Sequence, residues 1–154
     1  MVNNKFGELF PVKKPVIGMI HLAGKDRDER VERALEELAI YEEEGVDGAI
    51  IEDYHGDSLD VYDALKKAQG RFPRLVIGVN VLRSPYSAFE LASDFGAKFV
   101  QFDSVQTPDL DLKEYNKMRM EYPNICVLGG IGFKYTQPTG TPLEVDLREG
   151  IRRC

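Results

Sequence analysis

Short apolar runs and longer amphipathic stretches alternate along the chain. The short runs are rich in branched residues and bounded by turn residues, which is typical of strands buried on both faces of a parallel sheet. The clearest run, from Leu75 to Arg83, is interrupted only by Gly78 and Asn80. The pattern predicts five strands, at residues 16–22, 48–53, 75–83, 98–102 and 125–133.

Between these runs, apolar residues recur every three or four positions, as on one face of a helix. The predicted helices run from 28 to 45, between 56 and 70, from 84 to 96, from 112 to 122 and from 143 onwards. The second is expected to bury Leu59, Tyr62, Leu65 and Ala68. The third opens on a Ser-Pro pair at 84 and 85, an N-cap residue followed by proline at the first helical position.

Strict alternation of strand and helix indicates parallel βα units with right-handed crossovers, forming one α/β domain over residues 1–154. Five units fit either an open, doubly wound, flavodoxin-like sheet or part of a TIM barrel, which has eight strands and about 250 residues. In the third strand Ile77, Val79 and Val81 share one face, opposite Gly78 and Asn80. A barrel places branched residues outward against helices and small or polar residues inward, so this asymmetry favours the barrel.

Several segments resemble one family. They are KPVIGMIHL at 14–22, GVDGAIIED at 45–53, and VNVLR at 79–83 followed by an Ala-rich helix and FGAKFVQFD. In order and spacing they are similar to the BtpA family, also called BtpA/SgcQ, of TIM barrels allied to the ribulose-phosphate-binding group. The resemblance implies the amino-terminal part of such a barrel, ending after about five βα units. It implies no particular reaction, and the family name comes from a role in photosystem I biogenesis.

This chain departs from the family pattern in three places. His21 matches, but HLAGKDR lacks the prolines of the family's loop. Asp53 stands in an IED sequence where the family has asparagine, and Gln101 and Asp103 replace an arginine and an asparagine of the fourth strand.

Polar residues follow the predicted strands at their carboxyl ends, the rim on which TIM-barrel active sites lie. The candidate residues are His21, Glu52, Asp53, Asn80, Arg83, Gln101, Asp103 and Lys134. We assign proton transfer to His21, Glu52 and Asp103, and substrate binding to the remaining five. Glu52 and Asp53 point to opposite faces, so at most one of them enters the barrel mouth.

Each assignment has a structural alternative. Asn80 either faces a ligand or braces neighbouring loops. Arg83 either binds phosphate or carboxylate through its planar fork or pairs with one of the strand-end acids. His21 fits a core histidine, Asp103 a turn former, and Lys134 a solvated lysine as well as a Schiff-base lysine.

Composition limits the classes of partner that the chain is expected to bind. The formal net charge of -6 disfavours nucleic acid and anionic membrane surfaces. No apolar run is long enough to insert into a membrane, and two isolated cysteines suggest a reducing, cytoplasmic location. No cofactor is predicted, although His21, Glu52 and Asp103 are compatible with a divalent metal. The exposed strand edges of an open barrel favour a homo-oligomer.

These observations predict a TIM-barrel protein, of lyase or isomerase type if it is an enzyme, that acts by acid-base chemistry on a small anionic metabolite, a class that includes phosphorylated compounds. The alternative is a non-catalytic assembly or biogenesis factor that uses the barrel as a binding scaffold.

Overall fold

The structure, a computed structural model, describes residues 5–133 and 135–154. Strands and helices alternate along them as predicted. In chain order they are a 3-10 turn (Phe6–Glu8), β1 (Ile17–Ile20), α1 (Arg27–Glu43), β2 (Gly48–Glu52), α2 (Ser58–Ala68), β3 (Val76–Asn80), α3 (Ser87–Phe95), β4 (Phe99–Phe102), α4 (Leu112–Glu121), β5 (Cys126–Gly129) and α5 (Leu143–Arg153). Each strand is shorter than its apolar run, because the run continues into the loops at the strand ends.

The sheet has the topology of a barrel. All neighbouring strands are parallel, and their order in space, β1-β2-β3-β4-β5, is their order in the sequence. A flavodoxin-like sheet has β1 between β2 and β3, so the open, doubly wound alternative is wrong. Right-handed crossovers between successive neighbours carry the helices to one side of the sheet.

The outer face of the sheet forms the main core with the helices. Ala49, Ile51 and Val79 lie fully buried on this face, where they pack with Leu38 of α1 and Phe89 of α3. Val79 and Val81 belong to this core and the partly buried Ile77 packs against it, which confirms the predicted parity of β3. The branched side chains of the sheet therefore point outward at the helices.

The inner face is closed at its amino-terminal end by the segment that precedes β1. The rings of Phe6 and Phe10 pack with Phe99 at centroid distances of 5.1 and 6.4 Å, in a second cluster with Ile50. Gly78 makes room for this cluster, since a Cβ there would lie 2.3 Å from the ring of Phe99. The carboxyl end of the inner face is left for polar residues.

Two local predictions about helices were wrong. α3 begins at Ser87 rather than at Ser84, and no side chain caps it; the residues before it form tight turns, in which the amide of Ser87 donates to the carbonyl of Ser84 at 3.0 Å. In α2, Leu59 and Tyr62 are exposed, and Val61 is buried instead. The buried face of α2 is rotated because it includes Asp60, which binds two arginines of α1.

Among the described residues, no helix combines the length and the apolar character that a bilayer span requires. Cys126 and Cys154 are both free thiols.

Candidate functional site

The inner face of the sheet carries a polar cluster at the carboxyl ends of β1 to β4. Alternation along β2 and β3 places Glu52 and Asn80 on the inner face, and the strand register sets these two residues side by side. Gln101 and Asp103 follow Phe99 on the inner face of β4, and His21 follows β1. Five of the eight predicted site residues therefore lie at one rim: His21, Glu52, Asn80, Gln101 and Asp103.

Direct contacts join members of this cluster in two groups. The His21 Nε2 atom lies 3.8 Å from Glu52 Oε2, with the histidine side chain 47% exposed and the glutamate side chain 8% exposed. Asn80 Nδ2 donates to Asp103 Oδ1 at 3.2 Å, and Gln101 Nε2 donates to the same oxygen at 3.4 Å. Two amides thus fix the Asp103 carboxylate, while Glu52 accepts no hydrogen bond from any described residue.

The electrostatics of the cluster act mainly on Glu52. Burial, followed by the negative charges of Asp103 and Asp53, raises the pKa of Glu52 from 4.5 to about 7. The carboxyl is therefore divided between its protonated and ionised forms at neutral pH. Such a group can both donate and accept a proton there.

Asp53 lies on the opposite face of β2, as predicted from the alternation. It is 2% exposed, and its Oδ1 atom accepts a hydrogen bond of 2.7 Å from the backbone amide of Leu82. No described residue bonds its second, buried oxygen. Asp53 thus holds the loop between β3 and α3, in which two residues separate Asn80 from Arg83.

The two predicted basic residues are not part of the cluster as described. Arg83 is exposed in the β3–α3 turn, and it forms no ion pair or hydrogen bond with another described residue. Lys134 lies outside the described residues. Within the ranges 5–133 and 135–154, no three His, Cys, Asp or Glu side chains are grouped as a metal site requires.

Three residues beside His21 did not feature in the predicted site. The ring of Tyr54 lies 5.1 Å from that of His21 and 4.8 Å from that of His55, whose amide donates to the His21 carbonyl at 3.0 Å. Leu22 has a φ of +54°, uncommon for a residue with a Cβ. Strained backbone of this kind clusters at functional sites. In the sequence, the only sign of Tyr54 and His55 as site residues was their position just after the second strand.

Gly130 supports the site from β5. A Cβ at this position would lie 2.1 Å from the carbonyl oxygen of Asp103. Its amide donates to Phe102 at 2.8 Å, and its carbonyl accepts from Val105 at 3.1 Å. Gly130, the second glycine of the GGIGF sequence, therefore lets the chain directly after β5 approach the backbone that carries Asp103.

Comparison with solved structures defines the class of fold. A dihydropteroate synthase from Vibrio fischeri ES114 matches 92% of this chain with 56% of its own, at a TM-score of 0.59 and 20% identity. A dihydropteroate synthase from Coxiella burnetii, in complex with pteroic acid, matches 93% of the chain with 56% of its own, at a TM-score of 0.59 and 18% identity. These neighbours are TIM-barrel proteins, so the five βα units are TIM-barrel units.

Sequence comparison defines the relatives. No protein-family model matches the chain. The photosystem I biogenesis protein BtpA of Synechocystis sp. is 30% identical, over 88% of this chain and 57% of that protein. An uncharacterized protein of Pyrococcus furiosus is 32% identical, over 58% of the chain and 41% of that protein. The chain is BtpA-like, and it spans about half the length of these curated relatives.

Proposed function

We propose that the chain provides part of the active site of a TIM-barrel enzyme that acts on a small anionic, phosphorylated metabolite by acid-base chemistry, of the lyase or isomerase type. The observation that carries this proposal is Glu52, a buried carboxyl with a pKa near neutrality on the rim where TIM-barrel active sites lie. A purely structural carboxyl at this position would be hydrogen-bonded, since buried polar groups almost always are.

In this proposal Glu52 transfers the proton and His21 exchanges it with solvent. The 3.8 Å between the two side chains is short enough to close to a hydrogen bond, and His21 is the exposed partner. Asp103, oriented by Asn80 and Gln101, positions the reacting group of the substrate. Arg83 binds the anionic end, because a guanidinium fork suits phosphate and carboxylate.

Binding of a phosphorylated ligand through Arg83 is the first prediction. Calorimetry against a panel of sugar phosphates should detect binding, and Arg83→Ala should weaken it about tenfold or more, since a charge-assisted contact is lost. Arg33→Ala is the matched control, because Arg33 is an exposed arginine on α1. If no sugar phosphate binds, or if the two variants bind equally, the substrate claim is wrong.

An exposed apolar stripe on α5 favours the second candidate function, a scaffold that works through protein contacts. Leu143, Leu147 and Ile151 lie one turn apart and are 60%, 42% and 76% exposed, whereas Gly150 packs against Ile131. We propose that a second copy of the chain covers this stripe, and that the chain is a homo-oligomer.

The charges of α5 support pairing with itself. Its first turn carries the exposed Glu144, and its last turn carries Arg152, whose side chain is 66% exposed. Two antiparallel copies of the helix therefore bring acidic ends to basic ends while covering both stripes.

The second prediction tests this pairing at Leu147, which meets its own copy at the centre of the antiparallel pair. Sedimentation equilibrium at micromolar concentration should show a dimer, and Leu147→Asp should give a monomer, because it buries two like charges in an apolar contact. Leu59→Asp, at an exposed apolar position of α2, should leave the dimer intact. A monomeric parent chain would contradict the proposal.

A further inference from the structure

We propose that the substrate group that reaches Glu52 and Asp103 is a cationic hydrogen-bond donor, a primary ammonium, and that the ligand is therefore a zwitterion with its anionic end at Arg83. The inference rests on the proposed function and specifies its substrate class. It starts from the balance of donors and acceptors at the rim.

The centre of the site is rich in acceptors. Glu52 and Asp103 contribute two carboxyl groups, and the donor amides of Asn80 and Gln101 are both directed at Asp103 Oδ1. None of the ion pairs among the described residues joins a lysine or arginine to either carboxyl. An anionic group placed here would meet like charge, whereas an ammonium would meet two acceptors.

Glu52 supplies the independent sign that a ligand belongs here. Its side chain is more than nine-tenths buried and accepts no hydrogen bond from any described residue. A largely buried carboxyl that accepts no hydrogen bond is unfavourable, and an incoming N–H donor would supply the missing bond.

The aromatic rings at the mouth suit the same cation. Tyr54 is 52% exposed and packs against the rings of His21 and His55. An ammonium that approaches Glu52 past His21 can contact the face of the tyrosine ring, which attracts cations.

Binding of a cation and ionisation of Glu52 favour each other. The ionised fraction of a carboxyl with a pKa of about 7 rises about tenfold from pH 6 to pH 8. The affinity for an ammonium should rise by a similar factor over this range, while the affinity for an anion should fall.

The third prediction is tested by NMR on the isotopically labelled chain. Ethylammonium chloride, which stays protonated throughout, and sodium phosphate are titrated separately at pH 6 and pH 8 at matched ionic strength. Ethylammonium should shift the side-chain amide signals of Asn80 and Gln101 saturably and should bind about tenfold more tightly at pH 8. Glu52→Gln should reduce the pH dependence, and Glu36→Gln, at an exposed position of α1, should retain it in full.

The inference is overturned if phosphate shifts these amide signals and ethylammonium does not, or if ethylammonium binds more tightly at pH 6. If sugar phosphates bind through Arg83 and ethylammonium does not bind, the proposed enzymatic function is retained and only the ammonium assignment is wrong. A chain that binds ethylammonium but no phosphorylated compound would support the assignment and contradict the phosphorylated substrate.

Discussion

Asp60→Ala is expected to lower the free energy of unfolding by about 3 kcal/mol or more, because removing one partner of a buried ion pair leaves the other charges uncompensated. The carboxylate of Asp60 is fully buried. Arg30 Nε donates to it at 2.9 Å, Arg27 Nε at 3.1 Å, and the backbone amide of Asp57 at 2.8 Å. The single side chain thus joins α1 to α2 and completes the capping box of α2 with Asp57.

Urea denaturation of Asp60→Ala measures this loss, and Asp63→Asn, one turn further along α2, is the control. The comparison separates the loss of the ion pairs from a general loss of negative charge on the helix. Burial alone would raise the pKa of Asp60, but the hydrogen bonds from Arg30, the Asp57 amide and Arg27 outweigh it and hold the pKa below its usual value. This contribution to stability is present above the unfolded-state pKa and is lost as the pH falls through the folded-state pKa. The deficit of Asp60→Ala should therefore shrink in acid; a deficit equal to that of Asp63→Asn would contradict the assignment.

The fold could be predicted from the sequence because the two faces of each strand differ chemically. In β3 the alternation of Ile77 and Val79 with Gly78 and Asn80 separates a helix-covered face from a barrel interior, and the consecutive strand order confirms it. The predicted strand ends were less accurate than the strand faces, because the apolar runs continue into buried loops. Leu22, Leu75 and Val81 are buried without belonging to a strand.

The prediction of a buried helix face was wrong where that face includes a polar residue. Periodicity treats Asp60 as a solvent-facing residue and so selects Leu59 and Tyr62 as core residues. The ion pairs of Asp60 with Arg27 and Arg30, 30 or more positions away, reverse this choice. Partners so distant in sequence are invisible to a local pattern.

The membership of the polar cluster followed from the strand ends, but its chemistry did not. The sequence places His21, Glu52 and Asp103 at one rim without indicating that Asn80 contacts Asp103 or that Glu52 accepts no hydrogen bond. The raised pKa of Glu52 arises from burial and from neighbouring charges, which depend on how three strands meet. The roles assigned to these residues stay predictions.

Glu52→Gln is expected to stabilise the chain, by about 2–3 kcal/mol at pH 8, because the buried carboxyl is most costly when it is ionised. Its pKa is about 7 in the folded chain against an ordinary 4.5. A group whose pKa is raised on folding contributes stability below the unfolded-state value, and this contribution is lost as the pH rises through the folded-state value. The parent chain should therefore lose stability between pH 5 and pH 8 relative to the variant, and at pH 5 the two should differ by under about 1 kcal/mol.

Chemical denaturation at pH 5, 6, 7 and 8 measures this difference, with Glu36→Gln as the control, since that exposed glutamate lies on α1 away from the rim. Only the Glu52 variant should diverge from the parent as the pH rises. The ionised form of Glu52, which is the form that accepts a proton, is expected to destabilise the protein. This is typical of a functional rather than a structural residue, because active sites are commonly built at the expense of stability. If Glu52→Gln were less stable than the parent chain at pH 8, Glu52 would be a structural residue, and the acid-base proposal would lose the observation on which it rests.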